Sequence, residues 1–176
     1  MGRREDHWEL VADYMVSGQA AFYRMAYGYV KDREAALDIV QEAAAKALAK
    51  AHTLREPAYL RTWFYRILTN ECMDYFRRRR NITPLEESWD LALEEGLDPG
   101  ERVDLYRALE KLEPRERLVI QLRFFEDMKL GEIAQVTDTN LNTVKTRLYS
   151  ALKKLRVLTG GEVRDEREDA SGQGGL

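Results

Sequence analysis

The side chains of this sequence that can do chemistry are suited to holding a polyanion, and their spacing provides two different ways of doing so. Over residues 141–156, Asn142, Thr143, Lys145, Thr146, Arg147, Tyr149, Ser150, Lys153, Lys154 and Arg156 form a polar set without one acid, which suits phosphate oxygens and base edges. A second set lies upstream, where Tyr59, Trp63, Phe64, Tyr65, Tyr75 and Phe76 are interleaved with Arg61, Arg66 and Arg77. An unpaired base stacks on an aromatic ring for about 1–3 kcal/mol while arginines meet the phosphates. Catalysis has far less to work with: His7, His52 and a lone Cys72, with no phosphate-cradling glycine loop and no metal-ligand spacing. The chain is expected not to be an enzyme and to need no cofactor or metal.

The element that must position the first set is a helix-turn-helix across residues 129–158. Leu130, Ile133, Ala134 and Thr137 fall at helical spacing, with small Ala134 where a second helix can cross closely. The pattern stops at Asp138-Thr139-Asn140. Asp tolerates a left-handed backbone, and Asn140 is a good N-cap for a helix opening at Leu141. Leu141, Val144, Leu148, Leu152 and Leu155 then make one apolar stripe opposite the basic face. The second set belongs to a helix from Ala58 to about Arg79, opened by Pro57, which disfavours helix at Glu56 and suits a first turn. Taken alone, each stretch also fits something plainer. The first could be an amphipathic hairpin with a solvated basic face, the second a helix buried on one side.

Composition bounds these options. With 176 residues, 44% hydrophobic and 34% charged, the chain describes a soluble protein of one domain or two small ones. Its formal charge of -3 argues against a DNA binder only if charges are mixed, and they are segregated. Residues 61–80 hold six arginines against Glu71 and Asp74, whereas residues 81–101 hold seven acids and no Lys or Arg. One cysteine permits no intramolecular disulfide, and a reducing cytoplasm is the expected location. The start has no apolar signal core, and no window approaches the ~20 apolar residues needed to cross a bilayer.

In chain order, Trp8, Val11, Tyr14, Met15, Phe22, Met25, Ala26 and Tyr29 predict two helices, or one broken near Ser17-Gly18. Asp32 is expected to cap an alanine-rich helix through Ala51, with Leu37, Val40, Ala44, Ala47 and Leu48 inward and Asp38, Gln41, Glu42 and Lys46 outward. Residues 81–100, with Pro84, Gly96, Pro99 and Gly100 amid acids, read as a linker, although Leu85, Trp89 and Leu93 are too apolar for an inert spacer. Helix returns from Glu101 to Leu112 and, after Glu113-Pro114, through Phe125. Leu105, Leu109, Leu112, Leu118, Val119, Leu122 and Phe125 can close a small core with the helix-turn-helix. The Gly-rich, acidic tail after Thr159 is expected to be disordered.

With these elements placed, the chain resembles the extracytoplasmic-function group of the sigma-70 family, the specificity subunits of bacterial RNA polymerase. The resemblance runs from about Phe22 to Arg156. It rests on Asp38-Ile39-Val40-Gln41-Glu42, on Trp63-Phe64-Tyr65-Arg66-Ile67 followed by Asn70, Asp74 and the arginines at 77–80, on Leu112-Glu113-Pro114-Arg115-Glu116-Arg117, and on Glu132-Ile133-Ala134 with Thr143-Val144-Lys145-Thr146-Arg147-Leu148. It implies an all-α fold of two helical domains, region 2 at residues 1–80 and region 4 at 101–158, joined by a flexible acidic linker at 81–100 and followed by a tail at 159–176. It further implies that Asp38, Val40, Gln41 and Glu42 dock on core RNA polymerase, at the clamp helices of the largest subunit, with the beta subunit as a further contact. Arg61, Trp63, Arg66 and Asn70 would open and read the minus-ten element of promoter DNA. Lys145, Thr146, Tyr149 and Ser150 would face the minus-thirty-five element, with Thr143 and Arg147 nearer phosphate. Where many relatives carry an aromatic residue two places after Gln41-Glu42, this chain has Ala44. The resemblance also implies a stress or envelope-response regulon, a monomer when free, and an anti-sigma factor as a further type of partner.

Having both tools on one chain suits this division of labour, since a groove-reading helix recognises duplex and an aromatic, arginine-rich helix captures bases out of the stack. The two domains are expected to be independent until a partner fixes them. The alternative from another class is a ligand-controlled helix-turn-helix repressor, a homodimer on a palindromic site, in which the aromatic and arginine helix has no task.

Overall fold

The computed structural model describes the backbone of residues 2–78 and 99–159, with the side chains of 7–78 and 105–158. Residues 81–98 of the linker expected at 81–100, and the tail beyond Thr159, lie outside the described residues. All regular elements among the described residues are helical. Helix α1 (Gly2–Val30) is continuous, so the expected break at Ser17-Gly18 is absent. Val11, Met15, Phe22, Met25, Ala26 and Tyr29 form its buried stripe, and Gly18 lies on that stripe. A Cβ at Gly18 would stand 2.2 Å from the Phe22 ring, so this glycine makes room for packing and does not break the helix.

The chain reverses at Lys31, whose φ of 57° is left-handed, and Asp32 accepts from the Ala35 amide at 3.0 Å to start α2 (Arg33–Ala49). The inward face of α2 is Ala35, Ala36, Ile39, Ala43 and Ala47. This corrects the expected stripe: Leu37 is 51% exposed, because the alanines that admit close helix packing set the phase of the helix. Val40, Ala44 and Leu48 pack at the edge of the core. A 3-10 turn at Ala51–Thr53 ends this arm, two residues short of the expected helix end, and a second at Pro57–Tyr59 leads into α3 (Leu60–Arg78).

Helix α3 divides its aromatics between the core and the surface. Phe64 and Tyr65 are buried, and the Phe64 ring centroid lies 4.4 Å from Phe22 and 5.8 Å from Tyr14. Such clusters gain about 0.5–1.5 kcal/mol per ring pair beyond area burial. Buried Glu71 is satisfied by Lys46 of α2, which also lies 3.8 Å from Glu42.

The second half begins with α4 (Pro99–Glu110), two residues ahead of the expected start, followed by α5 (Pro114–Ile120). The helix expected through Phe125 continues over Gln121–Phe125 as a π-wound turn, with the Glu126 amide reaching Gln121 O at 3.2 Å. Helices α6 (Leu130–Thr137) and α7 (Leu141–Thr159) follow. Leu109, Leu112, Leu118, Val119 and Leu122 close the expected core with Ile133, Val136, Val144 and Leu148, while Leu105 and Phe125 pack at its edge.

One buried arginine organises the corner. Arg117 donates from Nε to Leu109 O (2.8 Å), and from its terminal nitrogens to Glu110 O (2.9 Å), Leu112 O (3.3 Å) and Tyr29 O (2.8 Å). It thus adds a donor to carbonyls at and beyond the ends of α4 and α1, where the regular helical bonding runs out. The last of these bonds crosses between the two halves, which dock against one another. The structure therefore differs from the expectation of two halves independent in the free chain.

Candidate nucleic-acid interface

The helix-turn-helix takes its shape from local chemistry. Asp138 ends α6 in the left-handed region, φ 53° and ψ 45°, and its amide reaches back to the last carbonyls of that helix. Asn140 Oδ1 then accepts from the Thr143 amide at 2.8 Å and the Thr143 hydroxyl at 3.0 Å. Both features are what the turn residues were expected to do. Thr137 and Thr139 hydroxyls meet at 2.9 Å and brace the turn from inside.

Along α7, Val144, Leu148, Leu152 and Leu155 are buried while Leu141 at the entry is exposed. Thr146 and Tyr149 are exposed, and Lys145, Arg147, Thr143 and Ser150 are half-buried at the rim. The Thr146 hydroxyl donates to Asn142 O at 2.9 Å, leaving its oxygen lone pairs facing outward as acceptors. Partial burial, then the Arg115 charge, lowers the Arg147 pKa from its ordinary value, so Arg115 adds to the same basic field. Ser150 and Lys154 are drawn instead to the buried Glu116 carboxylate, at 3.5 and 2.7 Å. Residue type and spacing place Lys154 with the open basic face and carry no signal for this contact across the domain.

The upstream set is more divided. Trp63, Arg66 and Asn70 follow one another at i, i+3 and i+7 and so share a face of α3. Asn70 is exposed, and Trp63 is half-buried with its indole N–H on Thr53 Oγ1 at 3.2 Å. Arg61 is half-buried, and its guanidinium donates to the Glu126 backbone carbonyl. Arg66 lies 3.5 Å from the Asp138 carboxylate. Tyr65, between them in sequence, donates its hydroxyl to Glu126 Oε2 at 2.5 Å. Burial, then the Glu126 charge, raises the Tyr65 pKa, which keeps it a donor. On α2, Asp38, Gln41 and Glu42 are exposed on one patch with Leu37, and Val40 is half-buried. Among the described residues no group of His, Cys, Asp and Glu could hold a metal ion, and Cys72 is buried.

These surfaces can be set beside known proteins. Residues 17–82 match the family profile described as Sigma-70 region 2, and residues 102–155 match Sigma-70, region 4. The RNA polymerase sigma factor SigV of Bacillus subtilis is 41% identical over 158 residues, covering 89% of this chain and 95% of SigV. The chain belongs to the extracytoplasmic-function group of the sigma-70 family. The extracytoplasmic-function sigma factor SigX of Bacillus subtilis is 28% identical over 170 residues, 85% of this chain and 88% of SigX. The sigma factor RpoE of Bartonella quintana, solved in complex with the anti-sigma factor NepR, shares the fold: TM-score 0.75 at 22% identity, over 86% of this chain and 97% of that one. The expected all-α fold with region 2 and region 4 therefore holds for this sigma factor. The group consists of polymerase specificity subunits, which are not enzymes. Among the described residues, no helix of this sigma factor is long and apolar enough to cross a membrane.

Proposed function

We propose that this sigma factor binds core RNA polymerase through the exposed patch of α2, Asp38, Gln41 and Glu42 with Val40 at its edge, and directs it to promoters with two separate DNA surfaces. Lys145, Thr146, Tyr149 and Ser150 enter the major groove at the minus-thirty-five element, while Thr143 and Arg147 hold phosphates. Arg61, Trp63, Arg66 and Asn70 hold and read the unpaired minus-ten strand. The domains that carry these tasks are residues 1–80 and 101–158, with 81–100 linking them. The observation that carries this reading is that the two helices offer unlike chemistry. The face of α7 is basic, short and acid-free, as duplex readout needs, whereas α3 sets an indole, a guanidinium and an amide in one row, as an unstacked strand needs.

An anti-sigma factor is the regulatory partner this reading supports, since RpoE was solved with one, and the group suggests a stress or envelope-response regulon. The test is transcription by purified core polymerase, with and without the chain, on a promoter library. The expected outcome is chain-dependent transcripts from promoters sharing two elements about two helical turns apart. Equal transcription with and without the chain would overturn it.

A further inference from the structure

Helix α7 is held from two directions. Val144, Leu148, Ala151, Leu152 and Leu155 are buried, and apolar contacts of this kind draw the helix inward without fixing its rotation about its own axis, because burial is non-directional. About a third of a turn round from that stripe, at 3.6 residues per turn, Lys154 and Ser150 both turn to Glu116 of α5. The Lys154 ammonium donates to Glu116 Oε1 at 2.7 Å, and the Ser150 hydroxyl approaches Oε2 at 3.5 Å. We propose that Glu116 is a positioning residue for base readout: its carboxylate tethers α7 from the flank and so sets the rotation at which Lys145, Thr146 and Tyr149 meet the minus-thirty-five element. This rests on the reading of α7 as the helix that enters the groove.

As a core group the carboxylate is a costly choice. Glu116 is 5% exposed. Burying an ion is expensive even when it is paired, and an apolar side chain of similar volume closes the same space without that cost. What the carboxylate adds is direction, since a charge-assisted hydrogen bond has a preferred length and angle that hydrophobic contact lacks. Its two partners stand one turn apart on α7, at i and i+4, so the hold acts along a line beside the helix axis and not at a single point. The hydrogen bond to Glu116 is the largest cause raising the Lys154 pKa from its ordinary value, which keeps the ammonium charged alongside the carboxylate.

A small rotation is enough to change what the helix reads. Side-chain tips lie about 5–6 Å from a helix axis, so a turn of ~15° carries each tip about 1.5 Å. A hydrogen bond to a base edge tolerates only about 0.5 Å in length. A helix free to rock by that amount keeps its attraction for phosphates, which decays slowly with distance, and loses its choice of base.

The test is binding of core polymerase, carrying the full native chain or a variant of it, to promoters altered one base at a time across the minus-thirty-five element. The readout is the ratio of affinity for the preferred sequence to affinity for each altered one. An unfolded fraction binds neither and leaves that ratio unchanged. Native ratios should run from roughly 5- to 100-fold at contacted bases, and Glu116→Ala should lower them on the order of fivefold. Glu116→Gln keeps a hydrogen-bonding group in the same place and should hold the ratios within about twofold of native. Should Glu116→Ala fold too poorly to bind, Lys154→Met, which cuts the tether from the surface and leaves α5 intact, decides in its place and should lower the ratios in the same direction. Native ratios in the deciding variant, whatever its absolute affinity, would reduce Glu116 to a structural role and overturn the proposal, as would a Glu116→Gln variant that loses as much discrimination as Glu116→Ala. Lys145→Ala separates the tether from the reading beneath it. If Lys145→Ala changes base preference while the tether variants do not, the tether alone falls; if Lys145→Ala leaves preference unchanged, the groove assignment of α7 falls and the proposal with it.

Discussion

Helices α3 and α7 are both 19 residues long and both carry basic side chains, yet they stand in different relations to the rest of the molecule. The apolar stripe of α7 is buried within its own domain, and its early turns face outward from a capped start. The core face of α3 is likewise buried by its own domain, but two of its arginines are engaged by the other one. A basic and aromatic helix face can therefore be complete in residue type and spacing and still be engaged by tertiary packing.

The largest effect expected from disturbing this contrast comes from Arg117→Ala. It removes the side-chain donor from the carbonyls of Glu110, Leu112 and Tyr29 and one of two donors from Leu109 O, and removing a buried, charged donor of this kind costs about 3 kcal/mol. Urea unfolding should show region 4 losing stability while region 2 keeps its own transition. Equal loss in both would mean that the corner is not specific to region 4.

Lys145→Ala comes next, with a cost of about 1–3 kcal/mol at the favoured base of the minus-thirty-five element and little elsewhere. Binding across promoter variants, with polymerase present, measures it. Glu116→Gln should act more weakly and in the opposite sense. It frees Lys154 from a carboxylate 2.7 Å away, so stability falls slightly while binding to all sequences tightens. The smallest effect is Lys153→Ala, an exposed cation two turns beyond Lys145. It should weaken every sequence alike and flatten the salt dependence by about one counterion. If Lys153→Ala changed base preference and Lys145→Ala did not, the orientation of α7 in the groove would be wrong.

What the sequence discloses here follows how far apart the interacting residues lie. Asp138 and Asn140 act on neighbours three or four residues away, so the turn and the start of α7 are legible from residue type alone. The amphipathic stripe of α7 is legible for the same reason. The phase of α2 is misleading at Leu37 because side-chain size suggests burial there, whereas the close approach that Ala36 and Ala43 allow decides it. Gly18 looks like a helix breaker because the Phe22 ring that fills its space is visible only in three dimensions. The docking of the halves has no sequence signal at all: Gln121 reaches Met25 across 96 positions and Arg117 reaches Tyr29 across 88.

The separation of tasks between α3 and α7 is the central claim, and permanganate footprinting of polymerase–promoter complexes tests it most directly. Asn70 and Lys145 lie on the two faces, and each substitution removes one polar group from a site that is not in the core. Asn70→Ala should leave promoter occupancy near native while reducing thymine reactivity in the minus-ten segment. Lys145→Ala should reduce occupancy of the cognate promoter, yet give native reactivity per complex once bound. If Asn70→Ala melts promoters normally, or if both variants fail at the same step, the assignment of strand capture to α3 and duplex readout to α7 is contradicted.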